Sequence, residues 1–107
     1  PIYVDFKNIV VPVIKKNGTT GVVALNVMAE VKDDAAKTKV SDSLPKLRDA
    51  FIRVLYGNIE NGYMRKDGNL DIDNIKNRLM KTAAYVMNDK DGPIKDILFQ
   101  NIAQQTY

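Results

Sequence analysis

From Ile2 to Ile14 the even positions Ile2, Val4, Phe6, Val10 and Ile14 are apolar, and Ile9, Val11 and Val13 fill the opposite face in the second half. This pattern predicts a strand over 2–14 that becomes buried on both faces. Pro12 has no N–H to give a ladder, so it belongs at a sheet edge or at a bulge. Asn17-Gly18-Thr19-Thr20 predicts a hairpin turn with Gly18 at positive φ. Beyond it Val23, Leu25, Val27, Ala29 and Val31 alternate with Ala24, Asn26, Met28, Glu30 and Lys32. A period of two predicts a strand over 22–32 with one covered and one wetter face.

The period then lengthens. Val40, Leu44, Leu47, Phe51 and Leu55 recur at helical spacing and predict one apolar stripe on a helix over 40–56. Asp33-Asp34-Ala35-Ala36 suits a first helical turn ahead of it, and Gly57 suits a left-handed cap at its end. Pro45 lacks an N–H and its ring clashes with the carbonyl four residues back. Either the helix starts beside it, with Ser43 as N-cap, or the helix kinks there. Asp49 and Arg53 are spaced for an i,i+4 pair worth about 0.3–0.5 kcal/mol if exposed.

The stretch 58–69, with Gly62 and Gly68, reads as a loop. Asp71 is placed to cap a second helix over 71–88, with Leu70 and Ile75 at the two staple positions and Ile72, Ile75, Leu79, Ala83 and Val86 as its buried stripe. Asn88-Asp89-Lys90-Asp91-Gly92-Pro93 stops it, and Ile97-Leu98-Phe99 with Ile102 predict a last strand over 94–104. The order is β-β-α-α-β: an α+β domain with two helices packed on one face of a small sheet. At 107 residues this is a single domain over 1–107.

Composition narrows the chemistry. The net charge is only +3, and basic residues interleave with acids, as in Lys32-Asp33-Asp34 and Arg65-Lys66-Asp67. That reads as a solvated mixed surface with no nucleic-acid partner. With no cysteine and no histidine there is no disulfide, no thiolate, no imidazole base and no zinc site of the usual donors. The close acid pairs Asp71-x-Asp73 and Asp89-x-Asp91 sit at helix ends, where carboxylates cap free N–H groups. Setting Gly92 at the sixth position of a calcium loop puts Met87 first and Leu98 last, and neither can ligate. Gly18-Thr19-Thr20-Gly21 lacks the lysine and the helix of a phosphate cradle. The expected catalytic, cofactor and metal residues are therefore none, and the chain reads as a non-enzyme. No run approaches the roughly 20 apolar residues of a membrane helix. The chain opens on Pro1 and not methionine, which points to a processed or truncated piece.

Tyr56, Tyr63, Met64, Met80, Met87 and Tyr107 are adaptable or amphipathic side chains of the kind that enrich interfaces. Tyr63, Met64 and Tyr107 are the candidate protein-interface residues.

Leu44-Pro45-x-Leu47-Arg48-Asp49-Ala50 resembles the signature of the FliL family of flagellar basal-body-associated proteins. The opening Tyr3-Val4-Asp5-Phe6 through Ile9-Val10-Val11 is similar to that family's first strand, and Ile94-Lys95-Asp96-Ile97-Leu98-Phe99 with Gln104-Gln105 to its last. Pro12, Thr20-Gly21-Val22-Val23 and Ile102-Ala103-Gln104-Gln105 depart from the usual pattern. The resemblance implies a periplasmic domain of a single-pass inner-membrane protein, anchored by an N-terminal helix outside this chain, with a fold similar to the core domain of stomatin-like proteins. It implies a homo-oligomeric ring at the flagellar basal body, with stator units and the basal-body membrane ring as partners, and a scaffold role in torque, motility and chemotaxis. The competing expectation is a soluble small-molecule or peptide-binding module that uses the sheet face left bare by the helices. A lysine- or carboxylate-dependent enzyme has the least support.

Overall fold

The computed structural model describes residues 1–14, 18, 20–56, 70–90 and 92–106. Its elements are β1 (Ile2–Ile14), β2 (Thr20–Val31), α1 (Asp34–Asp42), α2 (Leu44–Leu55), α3 (Ile72–Met87) and β3 (Ile94–Thr106). The strands form one antiparallel sheet in the order β1-β2-β3. Gly18 takes φ 87°, as its place between β1 and β2 requires.

Among the described residues the expected β-β-α-α-β order is corrected to β-β-α-α-α-β, because the first helical region is two helices. Asp33 caps α1 by accepting from the Ala36 N–H at 2.7 Å. The Ser43 N–H closes α1 on the Val40 carbonyl at 3.1 Å, while the Ser43 carbonyl opens α2 by accepting from Leu47 at 2.9 Å. One residue ends a helix and starts the next. Pro45 explains the break: it cannot donate to Ser41 four residues back, and in the first turn of α2 its missing N–H would have had no helical partner. α3 matches the expected span, with the Asp71 carboxylate accepting from Asn74 at 3.3 Å and Asn88 in the left-handed conformation as its C-cap.

All the fully buried side chains among the described residues belong to one core between the sheet and the helices. β2 supplies Val23, Leu25, Val27, Ala29 and Val31; the helices supply Val40, Leu47, Phe51, Leu55, Ile75 and Leu79. Each large aliphatic or aromatic side chain buried in this way contributes about 1.5–3 kcal/mol. Phe6 and Phe51 stack at the centre, with ring centroids 5.2 Å apart. β1 is not buried on both faces. Val4 and Phe6 point inward, then Ile9, Val11 and Val13 do, while Val10 is 50% exposed. The pairing steps from Asp5↔Met28 to Lys7↔Val27 and leaves Phe6 without a partner in the register. This β-bulge shifts the inward parity by one residue.

Candidate functional site

The helices cover one face of the sheet and leave the other open. Reading across the register, that open face carries the rows Tyr3–Glu30–Asp96, Asp5–Met28–Leu98, Asn8–Asn26–Gln100 and Val10–Ala24–Ala103. The edge strands bulge on either side of the level of Asn26, β1 beside Val27 and β3 beside Leu25. On β1 Lys7 adopts φ 61°, and on β3 Asn101 adopts φ 52° where Asn101 and Ile102 face the single residue Leu25. Left-handed backbone at a residue with a side chain costs on the order of 1–2 kcal/mol, so two such residues flanking one central position need structural support.

On β1 that support is visible. The Asp5 carboxylate accepts from the Lys7 N–H at 2.7 Å, a local turn across the bulge. Arg48, half-buried on α2, reaches the same place: its Nη1 donates to the Phe6 carbonyl, and its Nη2 donates to the Asn8 carbonyl at 3.2 Å. One guanidinium thus holds the two carbonyls on either side of Lys7. A planar fork with several donors suits this task, and an ammonium does not. Its neighbour Asp49 pairs outward with Arg53 at 3.1 Å, an exposed i,i+4 bridge. The Arg48-Asp49 dipeptide therefore splits its work between the sheet and the helix surface.

Between the bulges lies an open hollow of about 500 Å³, lined by Asp5, Lys7, Asn8, Ala24, Asn26, Asn101 and Ala103. Sequence reasoning missed it. The signal was the step of three between Phe6 and Ile9 in an otherwise alternating strand, which marks an inserted residue.

Tyr63, Met64 and Tyr107 lie outside the described residues, as do Gly57 and Asp91. Met80 and Met87 are half-buried and pack against the core, whereas Tyr56 is 55% exposed. Asp71 acts as a cap, and Asp73 is exposed in the first turn of α3. Asp89 accepts from the Lys39 ammonium at 3.0 Å and from the Gly92 N–H at 3.2 Å, tying α1 to the turn between α3 and β3. The Lys39 hydrogen bond holds its carboxyl below the ordinary aspartate value against desolvation, assisted by the Gly92 N–H and by the charges of Lys39 and Lys32. Among the described residues no group of three His, Cys, Asp or Glu side chains is placed to hold a metal ion. Among the same residues no helix is long and apolar enough to cross a membrane.

Among the described residues, three helices cover one face of a three-stranded sheet and a polar hollow lies on the other, which defines a small α+β domain. Residues 3–105 match the family model described as Flagellar basal body-associated protein FliL, and the chain belongs to that family. It is a flagellar basal-body-associated protein, and its setting is motility. Comparison with curated proteins gives no match.

Proposed function

We propose that this domain is a non-catalytic scaffold of the flagellar motor, which associates with itself in a ring and with stator units and so supports torque generation. The observation that carries the reading is the family match over 3–105, which takes in the Arg48-Asp49 segment and all three strands. The proposal places the domain in the periplasm, behind a single inner-membrane helix that precedes it in the full protein, and includes the basal-body membrane ring as a partner. A fold shared with stomatin-like scaffold domains is part of the same proposal. Tyr63, Met64 and Tyr107 are its proposed contact residues. Tethering by the membrane helix raises local concentration, so a dilute fragment is a poor probe of ring formation.

The test is made in cells. Deletion of the native gene is expected to reduce swimming, most under high load, and the full-length protein is expected to restore it. Normal motility of the deletion strain under both low and high load would sink the motor reading. Restoration by a full-length protein carrying alanine at Tyr63, Met64 and Tyr107 would reject only those contacts.

A further inference from the structure

The hollow on the open sheet face has features that a scaffold does not require. Two non-glycine residues, Lys7 opposite Val27 and Asn101 opposite Leu25, hold left-handed backbone on the two edges either side of Asn26, and such outliers persist where surrounding structure enforces them, commonly at ligand sites. Arg48 and Asp5 enforce the first. Ala24 and Ala103 keep the floor low, and Asn8, Asn26 and Asn101 surround it. Among the described residues, the side-chain amides of these three asparagines make no hydrogen bond within the protein. Each offers two donors and one acceptor oxygen.

The volume falls within the range of about 300–1,000 Å³ usual for small-molecule sites, but the lining is amide-rich where such sites are mostly apolar. A fitting ligand therefore carries hydrogen-bonding groups around its whole edge. Lys7 and Asp5 are of opposite charge and both line the hollow, so the site has no net charge with which to select a phosphate or a carboxylate. An extended peptide joins a sheet along an edge, where main-chain groups are free, and draws its affinity from aromatic or aliphatic anchors. This hollow lies on a face and has no deep apolar pocket. An uncharged polyol meets the requirement, since each hydroxyl both donates and accepts.

We propose that the hollow between the Lys7 and Asn101 bulges binds an uncharged saccharide of one or two rings, held by Asn8, Asn26 and Asn101. The inference does not depend on the motor reading; either can fail alone. The test is an NMR titration of the domain with cellobiose and with N,N′-diacetylchitobiose, with tetra-alanine amide and inorganic phosphate as comparators. Saturable shifts are expected in the side-chain amide signals of the three asparagines with one or both disaccharides, half-saturating at about 1–5 mM, as befits a shallow site. Asn101→Gly keeps the bulge, because glycine accepts φ 52° without strain, and is expected to weaken binding about tenfold. Ala24→Leu fills the floor and is expected to abolish it, with core signals unchanged in both variants. Absence of saturation by either disaccharide at about 50 mM, tenfold above the expected range, would overturn the proposal. So would undiminished affinity in both variants, or shifts at these asparagines with the peptide or phosphate alone.

Discussion

Arg48 joins helix and sheet through main-chain atoms, which gives the residue a role independent of what lies opposite its charge. Its half-buried guanidinium serves the carbonyls of Phe6 and Asn8, 42 and 40 residues away in sequence. A hydrogen bond with a charged partner contributes about 1.5–3 kcal/mol, and loss of the donor also strands an acceptor. Arg48→Met keeps the stem packing and removes the fork. It is expected to lower stability by about 1–3 kcal/mol in urea denaturation, with the largest NMR shift changes at Lys7 and Asn8. Lysine at this position is expected to restore only part of the loss, because it cannot span both carbonyls. A variant with unchanged stability and unchanged signals at Lys7 would show that Asp5 and the Phe6–Phe51 stack hold the bulge unaided.

At the scale of elements, the capping residues are not equivalent. Asp33 accepts from Ala36 at 2.7 Å and Asp71 from Asn74 at 3.3 Å, whereas Ser43 makes no side-chain cap bond. The reason is positional: Ser43 is also the last turn of α1, with φ −99° and ψ 7°, outside the extended conformation of an N-cap. Asp33→Ala is therefore expected to cost about 1 kcal/mol and Asp71→Ala somewhat less, while Ser43→Ala stays within about 0.5 kcal/mol. Denaturant midpoints of the three variants check the order. A Ser43→Ala loss as large as that of Asp33→Ala would mean that the hydroxyl caps α2 after all. The bulges belong to this scale too. β1 is interrupted by one and carries Pro12, and the register of β3 shifts twice, so neither presents a long regular ladder for another strand to join.

For the whole molecule, the pair Lys39–Asp89 links segments 50 residues apart and makes part of the stability depend on acid. The folded Asp89 carboxyl titrates below its ordinary value of 3.8. Its contribution is therefore complete above that value and is lost as pH falls through the lower, folded one. Solvent exposure of both partners keeps the effect small. Stability is expected to be level in this respect above about pH 5, and the gap between the wild type and Asp89→Asn should close on further acidification. A gap that stays constant from neutral pH to the acid transition would assign the effect of the variant to the Gly92 turn and not to the ion pair.

How far the sequence reaches follows from the range of the interactions involved. The alternation in β2, the stripe Ile75-Leu79-Ala83, the Asp71 cap and the break at Pro45 all depend on neighbours within a few residues, so the chain displays them directly. The separate helix α1 was half visible: Asp33 and Asp34 marked its start, but Val40 fitted the next stripe equally well, and only packing assigned it to α1. β1 shows the boundary most clearly. Its sequence offers two apolar sets, Val10 with Ile14 and Ile9 with Val11 and Val13, and no local rule chooses between them. Pairing with β2 and the reach of Arg48 from α2 decide it by placing a bulge at Phe6–Lys7, which turns the second set inward and leaves Val10 exposed. The hollow follows from that decision and from the second bulge at Asn101, because strand register sets Asn8 opposite Asn26 and the bulge puts Asn101 next to their partner Gln100. Sequence determined which residues form each element; long-range pairing, whose energy lies in contacts between distant segments, decided which face each residue of β1 presents and where the open site stands.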